Sequence, residues 1–140
     1  MLNIKKSEEY ELYRTVLKLN TNRNQLIPKG YGSRGVYSTI INRAYYSAYS
    51  FSLMWLIDKH NFKFRKTYEF DKDEKYITEH TQVSDALKEH KEYKCSDKLV
   101  EMKELRKDAD YHLNIPITER QVESTIKNME YIIKNFIPKF

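Results

Sequence analysis

The stretch Ser33 to His60 reads SRGVYSTIINRAYYSAYSFSLMWLIDKH and decides the fold. Val36, Ile40, Ala44, Ala48, Phe51 and Trp55 recur every three or four residues, the spacing of one buried helical face. Between them stand Tyr45, Tyr46, Ser47, Tyr49, Ser50 and Ser52, so apolar and aromatic groups run round much of the circumference. A helix of this kind is buried on more than one side, at the centre of a bundle or in a subunit interface. Ala44, Ser47, Ala48 and Ser52 are small enough to let another helix approach closely.

The flanking sequence supplies the partners. A first helix is predicted over about Ser7 to Asn22, with Tyr10, Tyr13, Val16, Leu17 and Leu19 as its stripe. Gln25 to Ser33 holds Pro28, Gly30 and Gly32 and reads as a loop, with Ser33 as N-cap of the long helix. Asn61 to Lys75 mixes charges and aromatics and reads as a mobile connection with a functional role, since structureless loops of this length are uncommon in compact domains. A third helix, about Ile77 to Glu92, carries His80, Val83 and Leu87. A fourth, about Ser96 to His112, sets Leu99, Met102, Leu105, Ala109 and Leu113 on one stripe before Pro116 stops it. Thr118 with Gln121 makes a capping box for a fifth helix, whose seam is Val122, Ile126, Met129, Ile133 and Phe136. The expected architecture is all-α: one domain over residues 1–140, a mainly antiparallel bundle of about five helices.

Composition agrees. Three glycines and three prolines in 140 residues, with 32% charged, favour long helices over a turn-rich sheet. The one cysteine, Cys95, has no internal disulfide partner, which points to a reducing, cytoplasmic setting. Leu53 to Ile57 is far shorter than the ~20 apolar residues of a membrane span, and Lys5 and Lys6 followed by acids do not suggest a signal peptide. A net charge of +5 permits RNA binding without demanding it.

Chemistry concentrates in Leu105-Arg106-Lys107-Asp108-Ala109-Asp110-Tyr111-His112-Leu113. A guanidinium grips phosphate by its planar fork, and an imidazole can shuttle a proton near neutral pH. Arg106 and His112 are about 120° apart around an ideal helix. They meet on one ligand only if the helix ends or bends near Tyr111, or if two subunits contribute. Arg106 and Asp110 share a face and can simply pair, and His112 can simply favour the helix dipole. Asp110 is expected to pair with a cation on another helix such as Arg43, Tyr111 to be core, and the Tyr45, Tyr46 and Tyr49 group to be packing rather than a base-stacking surface. Lys63, Arg65 and Lys66, with Phe62, Phe64 and Tyr68, are weaker candidates for RNA contact and read more readily as a solvated loop. No ligand spacing suggests a metal site, and no cofactor is expected.

Asn42-Arg43-Ala44-Tyr45-Tyr46-Ser47-Ala48-Tyr49, then His80 and Val83, then Leu105 to Tyr111 with its R-x-x-A-D-Y pattern, then Thr118-Glu119, resemble the small prokaryotic HEPN-domain proteins over roughly Ser33 to Phe136. That resemblance implies a homodimer of helical bundles in a toxin–antitoxin, phage-defence or nucleotide-linked system. It also implies a nucleotidyltransferase or other antitoxin or defence partner. Active members cleave RNA without metal from a composite site at the dimer cleft, leaving cyclic phosphate ends. Arg106 and His112 match their arginine and histidine, with Asp108, Asp110, Tyr111 and Arg43 in supporting positions. Lys107 stands where those members carry asparagine, aspartate or histidine. The alternative is a non-enzymatic HEPN module that binds a nucleotide, RNA or partner protein through the same cleft.

Overall fold

The structure, a computed structural model, describes residues 3–66 and 77–140. A 3-10 turn at Ile4–Lys6 precedes six helices: α1 (Glu8–Thr21), α2 (Arg23–Leu26), α3 (Arg34–His60), α4 (Glu79–Glu89), α5 (Tyr93–Tyr111) and α6 (Glu119–Phe136). A second 3-10 turn, Ile137–Lys139, follows. The all-helical bundle expected from the periodicity is present, with α3 packed against α1, α4, α5 and α6. Among the described residues no helix is long and apolar enough to cross a membrane.

The small residues of α3 explain its central place. Ala44, Ser47, Ala48 and Ser52 are fully buried, and between them Ile40, Ile41, Tyr45, Phe51 and Leu56 reach the neighbouring helices. The Ser52 hydroxyl satisfies itself on the Ala48 carbonyl at 2.8 Å, so burying it costs no orphaned donor. α6 answers with Val122, Met129, Ile132, Ile133 and Phe136, all fully buried. It starts at the expected capping box: the Gln121 amide N–H donates to Thr118 Oγ1 at 3.1 Å, and the Thr118 N–H to Gln121 Oε1 at 2.9 Å.

Several boundaries differ from the expectation. The single turn α2 forms about where the loop was expected to begin, so the described residues hold six helices where about five were expected. Ser33 makes no capping bond, because its backbone is itself helical (φ −81°, ψ −13°). α4 starts later, with Thr78 as its cap. It ends in a Schellman turn: Glu92 N–H donates to Leu87 O at 2.8 Å and Lys91 N–H to Lys88 O at 3.0 Å, with Lys91 left-handed (φ 64°). α5 therefore starts earlier, at Tyr93. Leu113, expected on the buried stripe, lies past the end of α5 and is 72% exposed. In the expected connection, residues 61–66 are irregular, and the rest of it, with Tyr68, lies outside the described residues.

The C-terminal end of α5 is held by a residue from the start of α3. Arg34 donates from Nη1 to Ala109 O (3.3 Å), from Nη2 to Asp108 O (3.2 Å) and His112 O (3.0 Å), and from Nε to Ile115 O (3.1 Å). Helix C-termini leave carbonyls without intrahelical partners, and one guanidinium meets the carbonyls of Asp108, Ala109 and His112 at this end and that of Ile115 beyond it. Arg34→Ala is expected to cost about 2 kcal/mol, the scale of losing charge-assisted hydrogen bonds. Urea denaturation followed by far-UV circular dichroism measures it, and an unchanged midpoint would deny the tie its structural role.

Candidate functional site

Arg106 occupies a core position. The buried residues of α5 are Cys95, Ser96, Leu99, Met102, Arg106 and Ala109, so its guanidinium lies where the seam would otherwise take an apolar group. A cation there is costly unless paired, and α3 and α5 supply the pairing. Arg106 Nη1 lies 3.4 Å from Asp110 Oδ2 and 3.5 Å from the Tyr46 hydroxyl. Asn42 Nδ2 donates to the same Asp110 oxygen at 2.9 Å, which ties the carboxylate to α3. The rings of Tyr45, Tyr46 and Tyr111 lie 5.4, 5.6 and 5.9 Å from the guanidinium carbon, within cation–π range. Arg106 Nε is buried with no partner among the described residues.

The same aromatic group receives His80 from α4. Its Nδ1 is 2.5 Å from the Tyr45 hydroxyl, and its ring lies 4.5 Å from that of Tyr49. Burial pushes the Tyr45 phenol above its ordinary range, so it meets Nδ1 as a neutral hydroxyl. Burial likewise pushes Tyr49 up to about 12. His80 is held below 6.5, first by burial and then by Lys103, Arg106 and Lys107, with Glu79 opposing. Where Tyr45 donates to Nδ1 the neutral ring carries its proton on Nε2, and the protonated ring carries one on each nitrogen.

His112 lies elsewhere. It is the residue that ends α5, and its Nδ1 meets Asp108 Oδ1 at 2.8 Å with both side chains about half exposed. Arg106 turns inward to Asp110 while His112 turns outward to Asp108, and within one chain the two share no partner among the described residues. α5 ends at Tyr111 as expected, with His112 past its last turn, yet the two side chains turn to different carboxylates.

The other expectations separate. Arg43 is exposed and makes no ion pair among the described residues; Asp110 takes Arg106 and Asn42 instead, because those sides of α5 and α3 face each other. Tyr111 is not core: as the last residue of α5 it is 69% exposed. Tyr45 is core, whereas Tyr46 and Tyr49 are half-buried. Lys63, Arg65 and Lys66 are exposed, and the first two share a shallow cleft with Asp85 and Glu89, acids that oppose a phosphate chain. His60 and His90, which the sequence leaves without partners, stack with ring centres 3.6 Å apart beside Trp55. No group of three or more His, Cys, Asp or Glu side chains among the described residues is arranged to hold a metal ion. Cys95 is buried, and desolvation pushes its thiol up to about 12.

Asp110→Ala strands Arg106 and is expected to cost about 2–4 kcal/mol, toward the lower end because Asp110 is a quarter exposed. Replacing both partners with apolar groups (Arg106→Met, Asp110→Leu) is expected to recover most of the loss, as read from urea midpoints. A second expectation concerns pH. His80 and His60 both have folded values below 6.5, so their contribution is present above that pH and lost as pH falls towards the folded values. The melting temperature should fall between about pH 7.5 and about pH 5, and His80→Gln should flatten the fall; an equal slope in that variant would remove His80 from the account.

Comparison with family models, with curated proteins and with solved structures finds no match to this chain.

Proposed function

We propose that this chain is a HEPN-type module acting on RNA, a metal-independent endoribonuclease whose cleft forms between two copies. The observation that carries the reading is the exposed His112–Asp108 pair at the end of α5, at 2.8 Å. A carboxylate on Nδ1 fixes the tautomer and leaves Nε2 as the working nitrogen. Its surroundings suit a partner surface: Tyr111 and Leu113 are 69% and 72% exposed, and Ile115 is 39% exposed.

In this reading His112 Nε2 takes the proton from an RNA 2′-hydroxyl. The resulting oxygen attacks the adjacent phosphorus, and His112 of the second copy protonates the leaving 5′-oxygen. The products are a 2′,3′-cyclic phosphate and a 5′-hydroxyl. Arg106 holds α5 against α3 and adds positive potential behind the cleft, because its guanidinium is engaged by Asp110. A toxin or phage-defence role, with a nucleotidyltransferase or other antitoxin as partner, follows from the resemblance, and a cytoplasmic setting suits a lone cysteine.

A second reading keeps the module and drops the chemistry: a nucleotide-, RNA- or protein-binding domain. The burial of Arg106 under tyrosine rings favours it, since a spent guanidinium cannot grip a reacting phosphate.

The test is purified protein with mixed RNA in EDTA. Wild type should cleave and leave cyclic phosphate ends, His112→Ala should lose about 10²-fold or more, the scale of general acid–base catalysis, and Asp108→Asn should lose less. His112→Ala cleaving as fast as wild type would sink the mechanism. Binding without cleavage by wild type would select the second reading.

A further inference from the structure

The face shared by α3, α4 and α5 carries donors with nothing to donate to. Tyr45 occupies His80 Nδ1, and Nε2 makes no hydrogen bond among the described residues; with Tyr45 donating, or with the ring protonated, Nε2–H is free. Lys103 is half-buried on α5 and makes no ion pair or hydrogen bond among the described residues. It lies three residues before Arg106 and four before Lys107, so these cations share one side of the helix. His80 and Arg106 lie against the same two rings, His80 5.6 Å from Tyr45 and 6.2 Å from Tyr46 and the guanidinium carbon 5.4 Å and 5.6 Å from them, which sets this side of α5 beside His80.

The acids nearby are mostly taken. Asp110 is held by Arg106 and Asn42, and Glu104 by Lys107. Glu79, at the start of α4, opposes the cations at His80 and makes no ion pair among the described residues. Lys103 is pushed below its ordinary value by burial, then by Lys107 and Arg106, with Glu104 opposing: it is short of negative charge. Beside these donors stands an aromatic surface, the half-buried rings of Tyr46 and Tyr49, with Tyr49 tilted 34° to the His80 imidazole.

We infer that His80 Nε2–H and the Lys103 ammonium form a binding point for a phosphate group, with Arg106 charge behind it and Tyr49 as a shelf for the attached base. A phosphate oxygen accepts from both donors, and its negative charge offsets the unpaired lysine. Bases stack on aromatic side chains with little sequence preference. The choice of a nucleotide as the carrier rests on the RNA-acting reading above. The phosphate point itself needs neither His112 nor a second copy, and it lies on the inward side of α5 where His112 does not reach.

The experiment is imidazole 1H–15N NMR of the full chain, with His80 assigned through His80→Gln, during titration with inorganic phosphate, adenosine 5′-monophosphate and a short RNA without terminal phosphates. Phosphate is expected to shift the His80 signals saturably and to raise its titration midpoint, since an anion favours the protonated ring. Lys103→Met should weaken binding about tenfold or more, about one charge-assisted bond, and Lys103→Arg should restore it. Tighter binding of the mononucleotide assigns the point to a free nucleotide or strand end; tighter binding of the unphosphorylated RNA assigns it to a backbone phosphate. His80 indifferent to all three ligands, or Lys103→Met binding like wild type, overturns the inference. Loss of cleavage in His112→Ala with the His80 response intact separates this point from the catalytic proposal, and an intact response in a wild type that never cleaves upholds it alone.

Discussion

Everything in this bundle depends on α3 being surrounded. A helix packed against five others leaves little of its middle for polar groups, and most of those it buries there are small, self-satisfied or met from a neighbour. Serines at positions 47 and 52 are the small answer. Asn42, Tyr45 and Tyr46 are the third kind, and their needs draw Asp110, His80 and Arg106 towards them. Much of the buried polar chemistry therefore gathers on the flank of α3 that faces α4 and α5.

That gathering has an electrostatic shape. Arg106 is compensated by one carboxylate that is itself restrained from α3, so the ion pair is also a helix-to-helix link. The cations beside it have weaker compensation, and they add to the burial that holds the His80 imidazole below its ordinary value. A half-buried imidazole held by a tyrosine at one nitrogen has its ring direction set, so its other nitrogen faces a fixed way. At the far end of α5 the pairing is the reverse, with an exposed imidazole and an exposed carboxylate. One helix thus carries an inward guanidinium and, within two turns of it, an outward acid–base pair.

The bundle was legible where apolar periodicity and capping chemistry speak directly. The seam of α6, its Thr118–Gln121 box and the breadth of apolar character on α3 all read correctly. Periodicity misleads where a charged residue holds a core position: Arg106 looks like a solvent-facing break in a stripe, and Leu113 like its continuation, yet burial runs the other way. The choice of Asn42 over Arg43 as the α3 partner of Asp110 turns on helix rotation, which one residue changes by about 100°. The His60–His90 stack and the Arg34 bonds to α5 join residues far apart in the chain, and no local pattern announces them. Arg34 had one signal, a lone arginine in a glycine-bearing helix start, too weak to direct a reading.

The Arg34 tie has a consequence for how this surface can change. All four of its acceptors are main-chain carbonyls, at residues 108, 109, 112 and 115. A carbonyl is the same whatever side chain stands beside it, so the end of α5 is secured without reference to which residues occupy it. The most exposed segment of the molecule is thereby freed to vary its side chains while its backbone stays in place, the combination that lets a surface acquire a new specificity without first losing its shape.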